Sequence, residues 1–335
     1  MTSKKSPPRK SGSTPPPDAK TIAENIRRHI QFSLGNDPLF PTPFSCFMGL
    51  AYAVRDRLLS AWIDTQRSLY DTLSKRVYYL SMEFLPGRFL KNYITSLQME
   101  PQVREALHHL GFDLDDIEEE EWDAGLGNGG LGRLASCYMD SMATMKIPGY
   151  GYGIRYDYGI FYQTIENGYQ VENCDDWLRH GSPWEIQRLE VMMPVGYYGK
   201  SETYKDMDGR IRYRWIPGES VMAKACDILV PGYGGGYVSN MRLWTARSSR
   251  EMNLAEFNLG DYVGAMENKV YSETISKVLY PSDEAEPGKE LRLKQQYFFV
   301  YATIQDIFRR FRKQRKSFLD LPDFVAIQLN DTHPA

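Results

Sequence analysis

Near its C-terminal end the sequence carries a nearly continuous apolar run, Phe324-Val-Ala-Ile-Gln-Leu329, followed directly by Asn330-Asp331-Thr332-His333-Pro334. A strand that is apolar on both faces is the mark of a parallel sheet covered by helices on both sides. This one segment therefore points to an α/β fold with strand 324–329 in its interior. A central strand with no helix after it is an unfinished α/β unit. The expectation is that this is the front part of a larger protein.

The remaining periodicities agree with that class. Ile22, Ile26 and Ile30 recur every four residues, as in a helix. After Pro41-Thr42-Pro43 a longer helical pattern runs through Met48, Ala51, Tyr52, Leu58, Leu59, Trp62 and Ile63. Residues 76–83 read as a strand that Pro86-Gly87 ends. Residues 149–170 read as Gly-punctuated aromatic strands with a turn signal at Asn167-Gly168. Short strand-like pieces are expected over 191–245, and helices near 268–279 and 290–312.

Charge and cysteine usage narrow the function. The net charge is −3 over 335 residues, which argues against a nucleic-acid binder. No stretch of about 20 apolar residues suggests a membrane span, and the basic N-terminus lacks the apolar core of a secretory signal. Cys46, Cys137, Cys174 and Cys226 form no CxxC pair, so reduced thiols in a cytoplasmic protein are expected rather than disulfides or a zinc site. Residues 1–20 hold five of the 19 prolines and almost nothing apolar, and are expected to be a disordered basic tail. Eight of the eleven residues from Asp113 to Asp123 are acidic, the pattern of a solvated face or loop. Six basic residues in 309–316 read as an anion patch or a solvated helix end.

The sharpest motif is Gly125-Leu-Gly127-Asn128-Gly129-Gly130-Leu131-Gly132-Arg133-Leu134, with Tyr138, Met139 and Met142 continuing at helical spacing. Glycines let the backbone approach a ligand, and a helix that starts there aims free N–H groups and a positive dipole end at an anion. A phosphate or sugar site and a structural turn both fit. GxGxxG occurs twice, but the residues before it are acidic rather than an apolar strand, which argues against a nicotinamide-dependent oxidoreductase. Asp331 and His333 sit just past the last strand, where open α/β sheets bind ligands, and could hydrogen-bond a polyol or simply cap and pack. The polar segment 281–288 is a lid or a connector. His29, His108 and His109 fall in helical patterns as packing or surface residues, and no Ser/His/Asp signature, HExxH or P-loop is present.

At DAGLGNGGLGRLASC (123–137) the chain resembles the N-terminal part of the α-glucan phosphorylases. Further stretches of the same kind follow in family order: KRVYYLSMEFLPGR (75–88), YGYGIRYDYGIF (150–161), DDWLRHGSPWE (175–185), VPGY (230–233), MRLW (241–244), KVLYPSD (277–283), GKELRLKQQYF (288–298) and VAIQLNDTHP (325–334). The resemblance covers residues 21–335 and less than half of a complete family chain. It implies the incomplete N-terminal, Rossmann-like domain of a two-domain GT-B-type glycosyltransferase. It also implies phosphorolysis of a terminal α-1,4-glucan bond by inorganic phosphate, giving glucose 1-phosphate with retention. Pyridoxal 5'-phosphate is the implied cofactor, its phosphate serving as acid/base, and a homodimer is the implied assembly.

The resemblance also assigns roles. Gly129, Gly130 and Leu131 match the loop whose N–H groups face phosphate and glucose, with Gly130 in the cofactor-phosphate region. Glu83 matches an acid near the sugar subsites, Asp283 the gating acid of a mobile loop, and Arg292 a position at the start of the next helix. Asp331 and His333 match a pocket beside the glucose. Trp62, Tyr70, Arg309 and Arg310 match nucleotide-effector positions, and Arg9-Lys10-x-x-Ser13 has the spacing of a phosphorylation segment. Glu284 and Ala285 depart from the family's Asn and aromatic after the gating acid, and Leu85-Pro86 from its Tyr-containing strand end. The Schiff-base lysine belongs to the family's C-terminal half, so the chain alone is expected to be inactive. A non-catalytic carbohydrate- or subunit-binding module is the alternative.

Overall fold

A computed structural model describes residues 17–249, 252–313 and 317–330. The tail read as disordered lies outside these residues up to position 16. Its proposed end is corrected: Asp18 accepts a hydrogen bond from the Thr21 N–H at 2.7 Å and so caps a helix that begins at Ala19.

That helix, α1 (Ala19–Phe32), leads to α2 (Pro43–Asp71), whose start is a capping box of Thr42 and Ser45 with Pro43 in the first turn. There follow β1 (Arg76–Ser81), α3 (Phe89–Ser96), α4 (Glu100–His108), α5 (Leu114–Glu118), α6 (Gly130–Thr144) and β2 (Gly149–Ile154). The hairpin β3 (Tyr162–Glu166) and β4 (Tyr169–Asn173) turns at Asn167 and Gly168, with φ of 52° and 83°. Next come β5 (Glu185–Tyr197), the hairpin β6 (Lys200–Lys205) and β7 (Ile211–Ile216), β8 (Glu219–Pro231) and β9 (Val238–Ser248). The chain continues through α7 (Leu254–Asn258), α8 (Gly264–Thr274), α9 (Glu286–Lys313), α10 (Leu321–Phe324) and β10 (Val325–Asn330). The helix expected near 268–279 thus lies earlier, and β8 and β9 are long strands of 13 and 11 residues rather than short pieces.

A six-stranded sheet in the order β10-β1-β2-β9-β8-β5 is the centre of the fold. The four strands β10, β1, β2 and β9 run parallel; β8 and β5 extend the sheet antiparallel. One face carries Tyr79, Met241 and Leu243 against α1 to α6; the other carries Tyr78, Leu80, Tyr150, Tyr152 and Trp244 against α9. The alternation in Gly149-Tyr-Gly-Tyr-Gly153 explains this layering. A Cβ on Gly149 would stand 2.8 Å from Met142 Sδ, so the glycine face lets α6 pack directly on β2. The tyrosine face fills the opposite layer, where the Tyr152 hydroxyl donates to Asp306 at 2.8 Å.

β10 forms and pairs in parallel with β1; among the described residues Ile327 and Leu329 are about half exposed. Two expectations are corrected. Within the acidic run, Glu121 is only 4% exposed. It accepts from the Phe89 and Leu90 N–H groups at the start of α3 and from Trp184 Nε1. A remote carboxylate thus satisfies a helix N-terminus that has no cap of its own. In the basic run, Arg309 and Arg310 turn inward to Asp306 at 2.6 and 3.0 Å. The opposite edge strand, β5, contains a bulge at Arg188/Met192 and Pro194, a residue tolerated at an edge because its missing donor is not needed there. All four cysteines are free, and among the described residues no helix is long and apolar enough to cross a membrane.

Candidate functional site

The site lies at the carboxyl end of β1. Strand β1 ends at Ser81, whose hydroxyl donates to the Glu83 carbonyl at 2.8 Å and turns the chain. Glu83 is 4% exposed. Its Oε2 accepts from the Asn128 N–H at 2.6 Å and the Gly129 N–H at 3.3 Å. Its Oε1 accepts from the Tyr280 hydroxyl at 3.3 Å. Among the described residues no cation pairs with Glu83, and the donors they offer this buried carboxylate are all neutral.

The glycine run divides into two kinds of position. Gly125 packs against Trp177 and Gly159. A Cβ on Gly127 would lie 2.7 Å from the Phe84 carbonyl oxygen, and one on Gly132 would lie 3.0 Å from Glu83 Oε2. These glycines exist so that the turn can lie against the segment following β1. A Cβ on Gly129 or Gly130 would meet nothing within 4 Å. Gly129 is the N-cap of α6 and offers no side chain to the helix's first N–H groups. Among the described residues nothing accepts from the Gly130 and Leu131 N–H groups, so this start of a 15-residue helix has open donors, a positive dipole end and room for a ligand.

A second segment closes on this turn. Tyr280 has φ of 52°, a left-handed conformation that a bulky residue rarely adopts. Beyond it, Asp283 pairs with Arg292 of α9 at 2.6 Å. The Arg292 guanidinium lies 5.6 Å from the Tyr280 ring centroid. Arg292 falls in the second turn of α9, since the helix begins at Glu286. Glu83, Gly129, Gly130, Leu131, Asp283 and Arg292 are therefore joined in one region through Tyr280. Asp331 and His333 lie outside the described residues. Sequence reasoning missed Tyr280 and Asn128: the first shows no signal beyond its place before Pro281, and the second acts through its backbone.

The four effector-type residues lie along a different network. Trp62 donates to Asn240 at 3.3 Å and lies under Arg188, whose guanidinium is 5.0 Å from its ring centroid. Arg188 and Arg242 both bind Asp227 at 2.8 Å, and Arg242 continues to Asp306 at 2.8 Å. Tyr70 stacks under Arg76, and Arg76 and Arg310 both face the Tyr150 ring. Burial alone would raise the Asp306 carboxyl, but Arg310, Arg242 and Arg309 outweigh it and hold it well below the usual carboxylate range. Among the described residues no group of three or more His, Cys, Asp and Glu is placed to hold a metal ion.

The sequence profile of the carbohydrate phosphorylases matches residues 107–335. The chain belongs to the carbohydrate phosphorylase family. It is 49% identical over 326 residues to the brain form of glycogen phosphorylase from Homo sapiens, covering 95% of this chain and 38% of that protein. The identity is also 49% to the liver form from Ovis aries, over 94% of this chain and 37% of the relative. Glycogen phosphorylase 2 from Dictyostelium discoideum matches at 49% over 95% of this chain and 32% of its own length. This family member thus spans less than two fifths of the relatives it matches. The match includes both the glycine turn and the Tyr280–Arg292 segment.

Proposed function

We propose that this chain is the front portion of an α-1,4-glucan phosphorylase. In this reading the whole protein cleaves a terminal α-1,4-linked glucose with inorganic phosphate to give glucose 1-phosphate with retained configuration. The observation that carries it is the start of α6: two glycines with open space, free backbone donors, and a turn clamped by a buried carboxylate. Such donors are preorganised for negative charge and need not reorganise as the reaction proceeds. Gly130 and Leu131 supply N–H groups to phosphate and to the reacting sugar. Glu83 fixes the turn that carries them, and its position at the strand end sets it near the sugar. Asp283, about 62% exposed in its side chain, bears a charge that repels incoming phosphate while it stays near the turn.

The residues present also fit a phosphate-bearing cofactor. A helix start without side chains at Gly129 and Gly130 accommodates a phosphate group close to the backbone. Gly130 would face the phosphate of pyridoxal 5'-phosphate, which when bound supplies a phosphate acid/base. The Schiff-base lysine and most other phosphate ligands are assigned to the family's C-terminal half. By the same reading the fold is the N-terminal part of a GT-B glycosyltransferase and the protein a cytoplasmic homodimer.

The test is direct. A full-length protein with this sequence as its front part, given glucan, phosphate and cofactor, is expected to release α-glucose 1-phosphate. The 335-residue chain by itself is expected to show no turnover. Failure of the full-length protein, with glucan binding retained, would replace the enzyme by a carbohydrate-binding module.

A further inference from the structure

Tyr280 has no role in the function proposed above, yet it connects that function's two halves. Its φ of 52° places a bulky aromatic residue in a conformation that glycine would adopt freely. Such a conformation persists where surrounding contacts over-determine it, and contacts of that kind surround Tyr280. The hydroxyl donates to Glu83 Oε1 at 3.3 Å. The ring lies under the Arg292 guanidinium at 5.6 Å. The next residues lie close against α9: the Ser282 carbonyl is so near Gly288 that no side chain fits there.

We propose that Tyr280 is a positioning residue that couples the Asp283–Arg292 ion pair to the Glu83 carboxylate holding the glycine turn. Glu83 accepts from the turn on one oxygen and from Tyr280 on the other, so the Tyr280 hydroxyl helps to fix the carboxylate that holds the turn. Arg292 is only 14% exposed in its side chain, whereas Asp283 is 62% exposed. When Asp283 moves away, the buried guanidinium loses a charged partner and leans on the groups that remain, the Tyr280 ring among them. A displacement of Tyr280 then reaches Glu83 and, through it, the N–H groups at the start of α6. Movement of the 281–285 segment is thereby read out as looser or tighter alignment of the anion-binding donors. The meaning of that readout for catalysis rests on the phosphorylase reading; the coupling itself does not.

The experiment compares Tyr280→Phe with wild type in the full-length protein. Phe keeps the ring over which Arg292 lies and removes only the hydroxyl. Amide hydrogen exchange in the segment containing Asn128 and Gly129 is expected to accelerate about three- to tenfold, with exchange in the core strands unchanged. The kcat for phosphorolysis is expected to fall by a similar factor with KM for glucan unchanged. Asp283→Ala should accelerate the same amides in wild type and add little on top of Tyr280→Phe. Unchanged exchange in Tyr280→Phe would overturn the proposal, as would effects of the two substitutions that simply multiply. Tyr280→Gly relieves the backbone conformation and removes both side-chain contacts. It should therefore exchange at least as fast as the Phe variant, and wild-type exchange there would also overturn the coupling. A wild-type protein that makes no glucose 1-phosphate would end the phosphorylase reading alone, since the exchange arms do not depend on turnover.

Discussion

Glu83 and Asp306 are both buried carboxylates, at 4% and 0% exposure, and they are held in opposite ways. Asp306 sits among guanidinium groups: Arg242, Arg309 and Arg310 bind it directly. Glu83 has backbone N–H groups and a tyrosine hydroxyl. The first arrangement locks β9 to α9 and makes its anion part of the scaffold. The second holds a turn through neutral donors, so the positive end of α6 stays open to a second anion. Cationic clamping stabilises a core, whereas neutral clamping leaves charge recognition available for a ligand.

The largest expected effect comes from breaking the cationic clamp. Asp306→Asn leaves three buried or half-buried arginines short of their shared partner and should cost about 3–5 kcal/mol in urea denaturation. The same group sets an acid limit. Its folded pKa is depressed, so its contribution is full above the unfolded carboxylate value of about 4 and is lost as pH falls further. Denaturation midpoints should therefore drop below about pH 4 in wild type and change much less in the variant.

The next test divides the glycine turn. Gly127→Ala drives a Cβ to 2.7 Å from the Phe84 carbonyl and should cost about 1–3 kcal/mol. Gly130→Ala meets nothing within 4 Å. Its thermal midpoint should hold or rise, by up to about 1 kcal/mol in stability. Its full-length phosphorolysis should nevertheless fall about tenfold or more, since the methyl occupies the space beside the donors. Equal losses of stability at the two positions would erase the distinction between packed and open glycines.

The smallest effect concerns a third carboxylate, Asp140 on α6. Burial pushes it up to about 6, against the pull of Arg133 and a hydrogen bond with Asn92. A raised folded pKa means stability is lost as pH climbs from about 4 through about 6. Asp140→Asn should remove that loss. Its advantage over wild type should be near zero at pH 4 and on the order of 1 kcal/mol at pH 8, by denaturation midpoints, once partial exposure is discounted.

Elements whose causes are local were legible in the sequence. The four-residue spacing of Ile22, Ile26 and Ile30, Pro43 after Thr42, the Asn167-Gly168 turn and the glycine run ahead of α6 are such cases. Within the candidate site, Glu83 and the open glycines were named from the residues and the resemblance. What was hidden depends on partners far along the chain. Glu121 meets Phe89 and Leu90 across 31 or more residues, and Asp306 meets Arg242 across 64, so runs of like charge looked solvated when some members were buried. The positive φ of Tyr280 accompanies contacts with Glu83 and Arg292, and nothing in its immediate neighbours announces it. Strand β10 was read correctly as a strand, and its pairing with β1 joins residues about 250 positions apart, which apolar content alone did not show.

The two margins of the sheet have unlike prospects for growth. At β5 a bulge interrupts the ladder and Pro194 lacks a donor, so another strand finds no regular template there. At β10 the template is regular, and exposed Ile327 and Leu329 give it apolar adhesion. Any self-association of the isolated chain through strand addition is therefore polar in the polymer sense: it starts from the β10 margin and meets a dead end at the other.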